Sequence, residues 1–306
     1  MVSQKTVFAA DVGGSKLLCG LVTETGEILD LEKTPLSPDM TAEGLETHLL
    51  ASYNALLARN PEYCPTACGM TIPGVADPES GMWIYACFSG ISDYPVRERV
   101  SKLLELPVTI ENDANANAWG EKVFGNCRER KNFLWVTVSN GVGGGLILDG
   151  RLYRGHRLGA GEIGHMVVEQ DHPLLCPCGH LGCLEAMASG RGISARFQAL
   201  TGEYRSAAEI AELAREGDEF AISVMEETGH YIGRALGKTA SLLNLEAYVL
   251  GGGVMQSFDL LEGSIRKAFA AEAFAQPNQS IPILQTALGY EAGLLSAAAL
   301  ALDPPK

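Results

Sequence analysis

The sequence predicts an α/β protein built as two like lobes facing a cleft. Three observations carry this expectation. The chain has 306 residues, more than one hydrophobic core usually serves, so two cores are the natural arrangement. Apolar strand-like runs alternate with helical stripes through its first half. And one order of elements, strand, glycine turn, strand, turn, strand, occurs twice, first as VFAADVGGSKLLCGLVTETGEI and again as LWVTVSNGVGGGLILDGRLY. The identities between the two are few, so the order itself is the repeat.

Thr6–Asp11 reads as a buried strand, Lys16–Val22 as a second and Ile28–Pro35 as a third, joined by Gly13-Gly14-Ser15 and Thr25-Gly26-Glu27, both turn-forming. A helix is expected over Ala42–Arg59, with Leu45, Leu49, Leu50, Tyr53, Leu56 and Leu57 on one stripe. Ala67–Ile72 and Val108–Glu111 are further core strands, with helices over Pro95–Leu104 and Ala114–Val123. In the second half, Phe133–Val138 is a strand, Ser139–Gly145 a glycine-rich turn and Leu146–Leu148 a strand, and Asp149-Gly150 turns the chain into Arg151–Arg154. The remainder reads as helices over Ala207–Glu216, Glu219–Asn244 and Asp259–Ala273, a strand and turn at Ala247–Gly253, and a final apolar helix, Glu291–Leu302. The expected N-terminal lobe is 1–120 with the C-terminal helix 291–306, and the expected C-terminal lobe is 121–290.

Hydrophobic residues make up 46% and charged residues 20%, ordinary for a globular protein. The formal net charge is −14 with no Lys/Arg-rich run. A nucleic-acid partner is therefore not expected, because a phosphate backbone needs a basic face to displace its counterions. A single triphosphate remains compatible, since a few backbone amides and one Mg2+ can hold it. The N-terminal run does not read as a signal peptide, and no stretch of about 18 apolar residues predicts a membrane span. Of eight cysteines, Cys19, Cys64, Cys68, Cys87 and Cys127 are scattered, whereas Cys176, Cys178 and Cys183 cluster. That pattern suits a reduced, cytoplasmic protein with a local metal site better than a disulfide framework.

Asp11-Val12-Gly13-Gly14-Ser15-Lys16 ends a strand with adjacent glycines, so successive amides can point at a phosphate. Asp11 could orient Mg2+ through water, and Ser15 and Lys16 add donors; a plain hairpin turn is the bland alternative. Ser139-Asn140-Gly141-Val142-Gly143-Gly144-Gly145 carries four glycines in seven residues. Such a run weakens a sheet entropically, which favours close backbone approach to a ligand. Leu250-Gly251-Gly252-Gly253-Val254 follows a strand and precedes a helix, a place where a nucleotide can sit. Glu111-Asn112-Asp113-Ala114-Asn115 marks a strand-to-helix junction. Asp113 could simply cap that helix; read beside the phosphate loops, it is a base for a hydroxyl nucleophile, with Asn112 binding a neighbouring hydroxyl.

Cys176-Pro-Cys178-Gly-His180-Leu-Gly-Cys183 gathers three thiolates on a bent loop. His165 lies eleven residues earlier and completes a Cys3His structural zinc set; His180 and His172 are competing fourth ligands. The metal would hold the loop bearing Glu162 and Glu185, both suited to accept hydrogen bonds from sugar hydroxyls.

With these residues laid out, the sequence closely resembles the ROK family (repressors, uncharacterised frames and sugar kinases) over essentially its whole length. GAGEIGH at Gly159–His165 and CPCGHLGCLE at Cys176–Glu185 carry the resemblance, reinforced by the glycine loops and by ENDANA at Glu111–Ala116. The resemblance implies an actin/hexokinase-like (RNase H-like) fold with Mg-ATP in the cleft between lobes. It implies ATP contacts from Asp11, Gly13, Gly14, Ser15, Lys16, Asn140, Gly141, Gly143, Gly252 and Gly253, and structural zinc on His165, Cys176, Cys178 and Cys183. It implies Asp113 as the base, and a sugar pocket of Gly74, Asn112, Asp113, Glu162, His165 and Glu185, with His165 serving zinc through one ring nitrogen and sugar through the other. The implied activity is transfer of a phosphoryl group from ATP to a hexose or N-acylhexosamine, and the implied assembly a homodimer. The family's repressors carry a helix-turn-helix domain ahead of the first phosphate loop, and about ten residues precede Asp11 here, so the kinase branch is expected. A non-catalytic sugar- or nucleotide-sensing protein is the alternative.

Three positions depart from the family pattern. Ser139-Asn140 stands where Gly-Thr is usual, Cys87 stands where a sugar-contacting Asn is usual, and Gly289-Tyr290-Glu291 replaces the usual acidic pair after the last strand. A thiol is a poor hydrogen-bond partner, so Cys87 alters how that hydroxyl is held.

Overall fold

A computed structural model describes residues 5–86, 90–274 and 276–305. In chain order the strands and helices are β1 (Thr6–Val12), β2 (Lys16–Thr23), β3 (Ile28–Pro35), α1 (Ala42–Arg59), β4 (Cys68–Ile72), β5 (Val75–Asp77), β6 (Met82–Tyr85), β7 (Ser92–Tyr94), α2 (Val96–Leu104), β8 (Val108–Asn112) and α3 (Asp113–Val123). They continue as β9 (Phe133–Val138), β10 (Val142–Leu148), β11 (Arg151–Tyr153), α4 (Leu184–Ala188), α5 (Gly190–Thr201), α6 (Ala207–Arg215) and α7 (Glu219–Leu243). The last are β12 (Ala247–Gly251), α8 (Phe258–Glu272), α9 (Gln276–Gln279), β13 (Ile283–Gln285) and α10 (Ala292–Leu302). Two compact units result: 1–129 with 151–160 and 287–306, and 130–150 with 161–286.

The first unit is built on a sheet ordered β3-β2-β1-β4-β8. β1 pairs antiparallel with β2 and parallel with β4, and β4 runs parallel to β8. Alternate side chains of β1 enter different cores, as the two-residue period of a strand requires. Phe8 and Ala10 pack with Leu45, Leu49 and Leu56 of α1, whereas Val7 and Ala9 pack with Leu294, Ala297 and Ala298 of α10. A strand covered on both faces reads as a continuous apolar run, which is why Thr6–Asp11 was legible. A small antiparallel sheet, β5-β6-β7, was not anticipated. Its strands span only three or four residues, too short for a period to show; buried Trp83 anchors it by donating Nε1–H to the Pro73 carbonyl at 2.9 Å.

In the second unit β10, β9, β12 and β13 lie side by side in that order. β9 pairs antiparallel with β10 and parallel with β12, and β12 runs parallel to β13. The central strand of each unit thus pairs antiparallel with its successor and parallel with a later strand, which is the repeat seen in the sequence. Leu134, Val136 and Val138 of β9 share a core with Ile193 and Phe197 of α5, Val224, Ile232 and Leu236 of α7 and Ile265 of α8. Among the described residues no helix is long and apolar enough to cross a membrane.

The glycine run differs from expectation. Only Ser139–Gly141 turn; Gly143, Gly144 and Gly145 lie inside β10, paired with Thr137, Val136 and Trp135. A Cβ on Gly144 would stand 2.6 Å from the Gly161 carbonyl oxygen. Close backbone approach is therefore the reason for that glycine, but its neighbour is this chain's own backbone. The third glycine turn also differs: Gly252 takes φ +93°, a 3-10 turn over Gly253–Ser257 follows, and α8 begins only at Phe258. The helices α4 and α5 and strand β13 went unread; Leu184–Ala188 and Ile283–Gln285 are too short for a periodic signal, whereas α5, Gly190–Thr201, spans twelve residues.

Candidate active site

Asn112, not Asp113, caps α3. Its side-chain oxygen accepts from the backbone N–H of Ala114 at 3.0 Å and of Asn115 at 3.2 Å, satisfying two of the helix's free donors. Its amide nitrogen donates to the Gly74 carbonyl at 2.9 Å and to Asp113 Oδ1 at 3.0 Å. Gly74, Asn112 and Asp113, all singled out from the sequence, are therefore one hydrogen-bonded group. Asp113 is the first residue of α3; its Oδ1 also accepts the Ala114 N–H at 2.8 Å. Its Oδ2 takes no hydrogen bond from another described residue. Burial pushes the Asp113 carboxyl up to about 6; the Ala114 N–H opposes the rise and the charge of Asp11 adds to it. A base poised near neutrality is what proton abstraction from an alcohol wants.

Asp11, next to last in β1, accepts the Thr71 hydroxyl at 2.5 Å. Burial raises its pKa, against Thr71 and the Lys16 charge. The turn after it is closed by the Gly13 N–H on the Lys16 carbonyl at 2.9 Å. Lys16 Nζ donates to the Tyr290 hydroxyl at 3.3 Å and stands 4.7 Å from the centre of that ring. Tyr290 thus engages the loop's cation through both hydroxyl and π-face.

Two residues of this region were missed. Glu111 is buried, and its Oε2 pairs with Arg154, Nε at 2.8 Å and Nη2 at 2.7 Å. Its Oε1 accepts the Asn112 N–H at 3.0 Å and Asn115 Nδ2 at 3.3 Å. Burial raises the Glu111 pKa and the Arg154 guanidinium opposes it most. A glutamate closing an apolar strand was the available signal, since such a group demands a cation; which cation could not be read from sequence.

In the second unit, Ser139 and Asn140 line one pocket of about 490 Å3 with Gly190, Arg191, Gly253 and Gln256, a volume suited to a small organic ligand. Two of the three predicted phosphate loops meet there. Glu185 Oε2 accepts the Val142 N–H at 3.0 Å. Glu162 lies 3.7 Å from His165 Nε2. Cys87 falls outside the described residues.

His165, Cys176, Cys178 and Cys183 place one donor atom each within 4.8 Å of one another. His165 Nδ1 is 3.7 Å from Cys176 Sγ, and Cys178 Sγ is 3.7 Å from Cys183 Sγ. Tetrahedral zinc with Zn–S near 2.3 Å sets its ligand atoms about 3.8 Å apart, so the donor set fits zinc in kind and in spacing. His180 Nδ1 lies 3.5 Å from Cys178 Sγ, but neither it nor His172 belongs to the mutually close group. The His165 nitrogen away from the sulfurs, Nε2, is the one facing Glu162, at 3.7 Å.

The sequence profile of the ROK family matches residues 7–304. The chain belongs to the ROK family. Among its ROK relatives, a glucokinase of Streptomyces coelicolor is 31% identical over 96% of this chain and 96% of that protein. An N-acetylmannosamine kinase of Yersinia pseudotuberculosis is 32% identical over 95% of this chain and 96% of its own. The xylose repressor of Bacillus subtilis is 29% identical over 87% of this chain and 68% of the repressor. A ROK glucokinase from Streptomyces griseus, solved in complex with glucose and AMPPNP, superimposes with a TM-score of 0.82 at 32% identity, covering 97% of this chain and 99% of that one. The ROK fold is thus that of the actin/hexokinase class expected from the sequence.

Proposed function

We propose that this ROK chain is an ATP-dependent sugar kinase that moves the γ-phosphoryl group of ATP to the 6-hydroxyl of a hexose or N-acylhexosamine. The observation that carries the reading is Asp113, whose Oδ1 is fixed by Asn112 and Ala114 while Oδ2 takes no hydrogen bond from another described residue. Asp113 Oδ2 takes the hydroxyl proton, the sugar oxygen bonds to the γ-phosphorus, and the bond to the β-phosphate breaks to release ADP. Magnesium carried with ATP would offset charge on the phosphates. Asp11, the Gly13–Lys16 turn, Asn140, Gly141, Gly143 and the Gly252-Gly253 turn are the residues assigned to ATP. Gly74, Glu162, His165 and Glu185 are assigned to the sugar hydroxyls, with Asn112 holding the base. His165, Cys176, Cys178 and Cys183 would hold zinc, which supplies a rigid anchor for the loop ahead of α4 and no chemistry at the phosphorus.

Likeness to full-length sugar kinases supports this reading. The repressor relative supports a second one, a protein that binds sugar without turnover. ADP release from Mg-ATP across glucose, mannose, allose, fructose, glucosamine, N-acetylglucosamine and N-acetylmannosamine separates them. Strong dependence on one sugar supports the kinase; sugar binding with no dependent ADP release supports the sensor.

A further inference from the structure

The Ser139–Val142 loop is tied at almost every residue to the corner where α4 meets α5. Ser139 accepts the Gly190 N–H at 2.7 Å, and Asn140 accepts Nε–H of Arg191 at 2.8 Å. Val142 donates its N–H to Glu185 Oε2 at 3.0 Å. A Cβ on Gly141 would stand 2.6 Å from the same carboxylate oxygen, so a side chain there would push the Glu185 carboxylate aside. The other carboxylate oxygen, Oε1, lies 3.6 Å from Arg191 Nη2. Arg191 thus reaches the loop with one nitrogen and Glu185 with another.

This arginine contributes little to holding the fold together through its ion pair. Its side chain is 64% exposed, against 15% for Glu185, and an ion pair with so much water around the cation adds little stability. Its planar fork, with donors aimed in fixed directions, is instead suited to setting the geometry of two acceptors at once. The corner it starts from is itself pinned. Ser189 ends α4 and caps α5, and Cys183, two residues before Glu185, belongs to the thiol cluster.

We propose that Arg191 is a positioning residue that locks the Ser139–Val142 loop to Glu185, so that the loop assigned to the nucleotide and the carboxylate assigned to the sugar are held in one fixed relation. The proposal deepens the sugar-kinase reading and rests on it for the identity of the two ligands. Without Arg191 the loop keeps its Val142 bond to Glu185 and its Ser139 bond to Gly190 but loses the hold on the Asn140 carbonyl, between those two ties.

The test uses the full-length, zinc-loaded protein as wild type, Arg191→Ala and Arg191→Lys. Amide exchange of the peptide containing Ser139–Val142 is expected to quicken about fivefold or more in Arg191→Ala, with exchange in β9 and α7 unchanged. In steady state, KM for ATP is expected to rise about tenfold while kcat changes less than about threefold. Lysine, with one point charge and no fork, is expected to restore the loop only in part. Loop exchange within about twofold of wild type in Arg191→Ala, or a loss that falls on kcat alone, overturns the proposal. A wild type without sugar-dependent ADP release overturns the proposed function instead, and the exchange rates then decide the positioning role by themselves.

Discussion

The amide of Asn112 donates to Asp113 Oδ1 at 3.0 Å while its oxygen caps the helix that Asp113 begins. One side chain therefore fixes both the helix start and the orientation of the proposed base. Asp113→Asn removes the proton acceptor and keeps the shape. It is expected to lower kcat by a factor on the order of 10^3, within the range of general-base catalysis, with sugar affinity changed only a few-fold. Titration calorimetry beside the kinetic assay checks both parts; retained turnover would remove Asp113 from its role.

The raised pKa of Asp113 gives the reaction an acid limb. With the carboxyl pushed up to about 6, kcat/KM is expected to fall as pH drops through that value, because the protonated acid cannot accept the hydroxyl proton. Asn112→Asp loses the donor to Asp113 and adds a negative neighbour, so its acid limb should move to higher pH. A limb unmoved in that variant would contradict the pairing.

The same shift has a stability consequence of fixed sign. The folded chain holds this proton up to about pH 6, whereas an ordinary aspartate in the unfolded chain releases it near 3.8. Between those values the folded state binds more protons, so this group's contribution to stability declines as pH rises from about 4 to 6 and stays low above. Asp113→Asn should therefore melt higher than wild type at pH 7.5, with the gain shrinking toward pH 4. Calorimetric melting at the two pH values checks it.

Arg154→Met should be among the most damaging single changes in the first unit. It leaves the Glu111 carboxylate buried at 1% exposure without its cation, a loss of about 3–5 kcal/mol for a broken buried pair. Chemical denaturation measures the loss. The double variant Arg154→Met, Glu111→Gln should recover part of it, because no uncompensated charge then remains.

Cys178→Ala should abolish zinc binding and lower the melting temperature of the second unit. Cys178 is exposed, so its loss removes a ligand without opening a cavity in the core. Metal analysis and melting together check it; a full zinc complement with an unchanged melt would contradict the ligand set.

The strands β1, β2, β4 and β9 were legible because sheets covered on both faces demand unbroken apolar runs, and α1 and α7 because long amphipathic stripes repeat. The thiol cluster was legible because three cysteines with metal spacing are rare by chance. What stayed hidden depends on contacts distant in sequence. The fate of Gly144 is decided by Gly161, the pairing of Glu111 by Arg154, and the hold on Asn140 by Arg191. That Asn112 and not Asp113 would cap α3 turns on backbone angles at a single junction.

The measurement closest to the central claim is the product itself. Mg-ATP and the stimulating sugar are incubated with wild type and Asp113→Asn, and the phosphorus-31 spectrum is followed with mass analysis of the sugar. The account predicts a sugar 6-phosphate formed in step with ADP by wild type, and neither by the variant. ADP formed without sugar phosphate, or sugar phosphate formed equally well by Asp113→Asn, would contradict it.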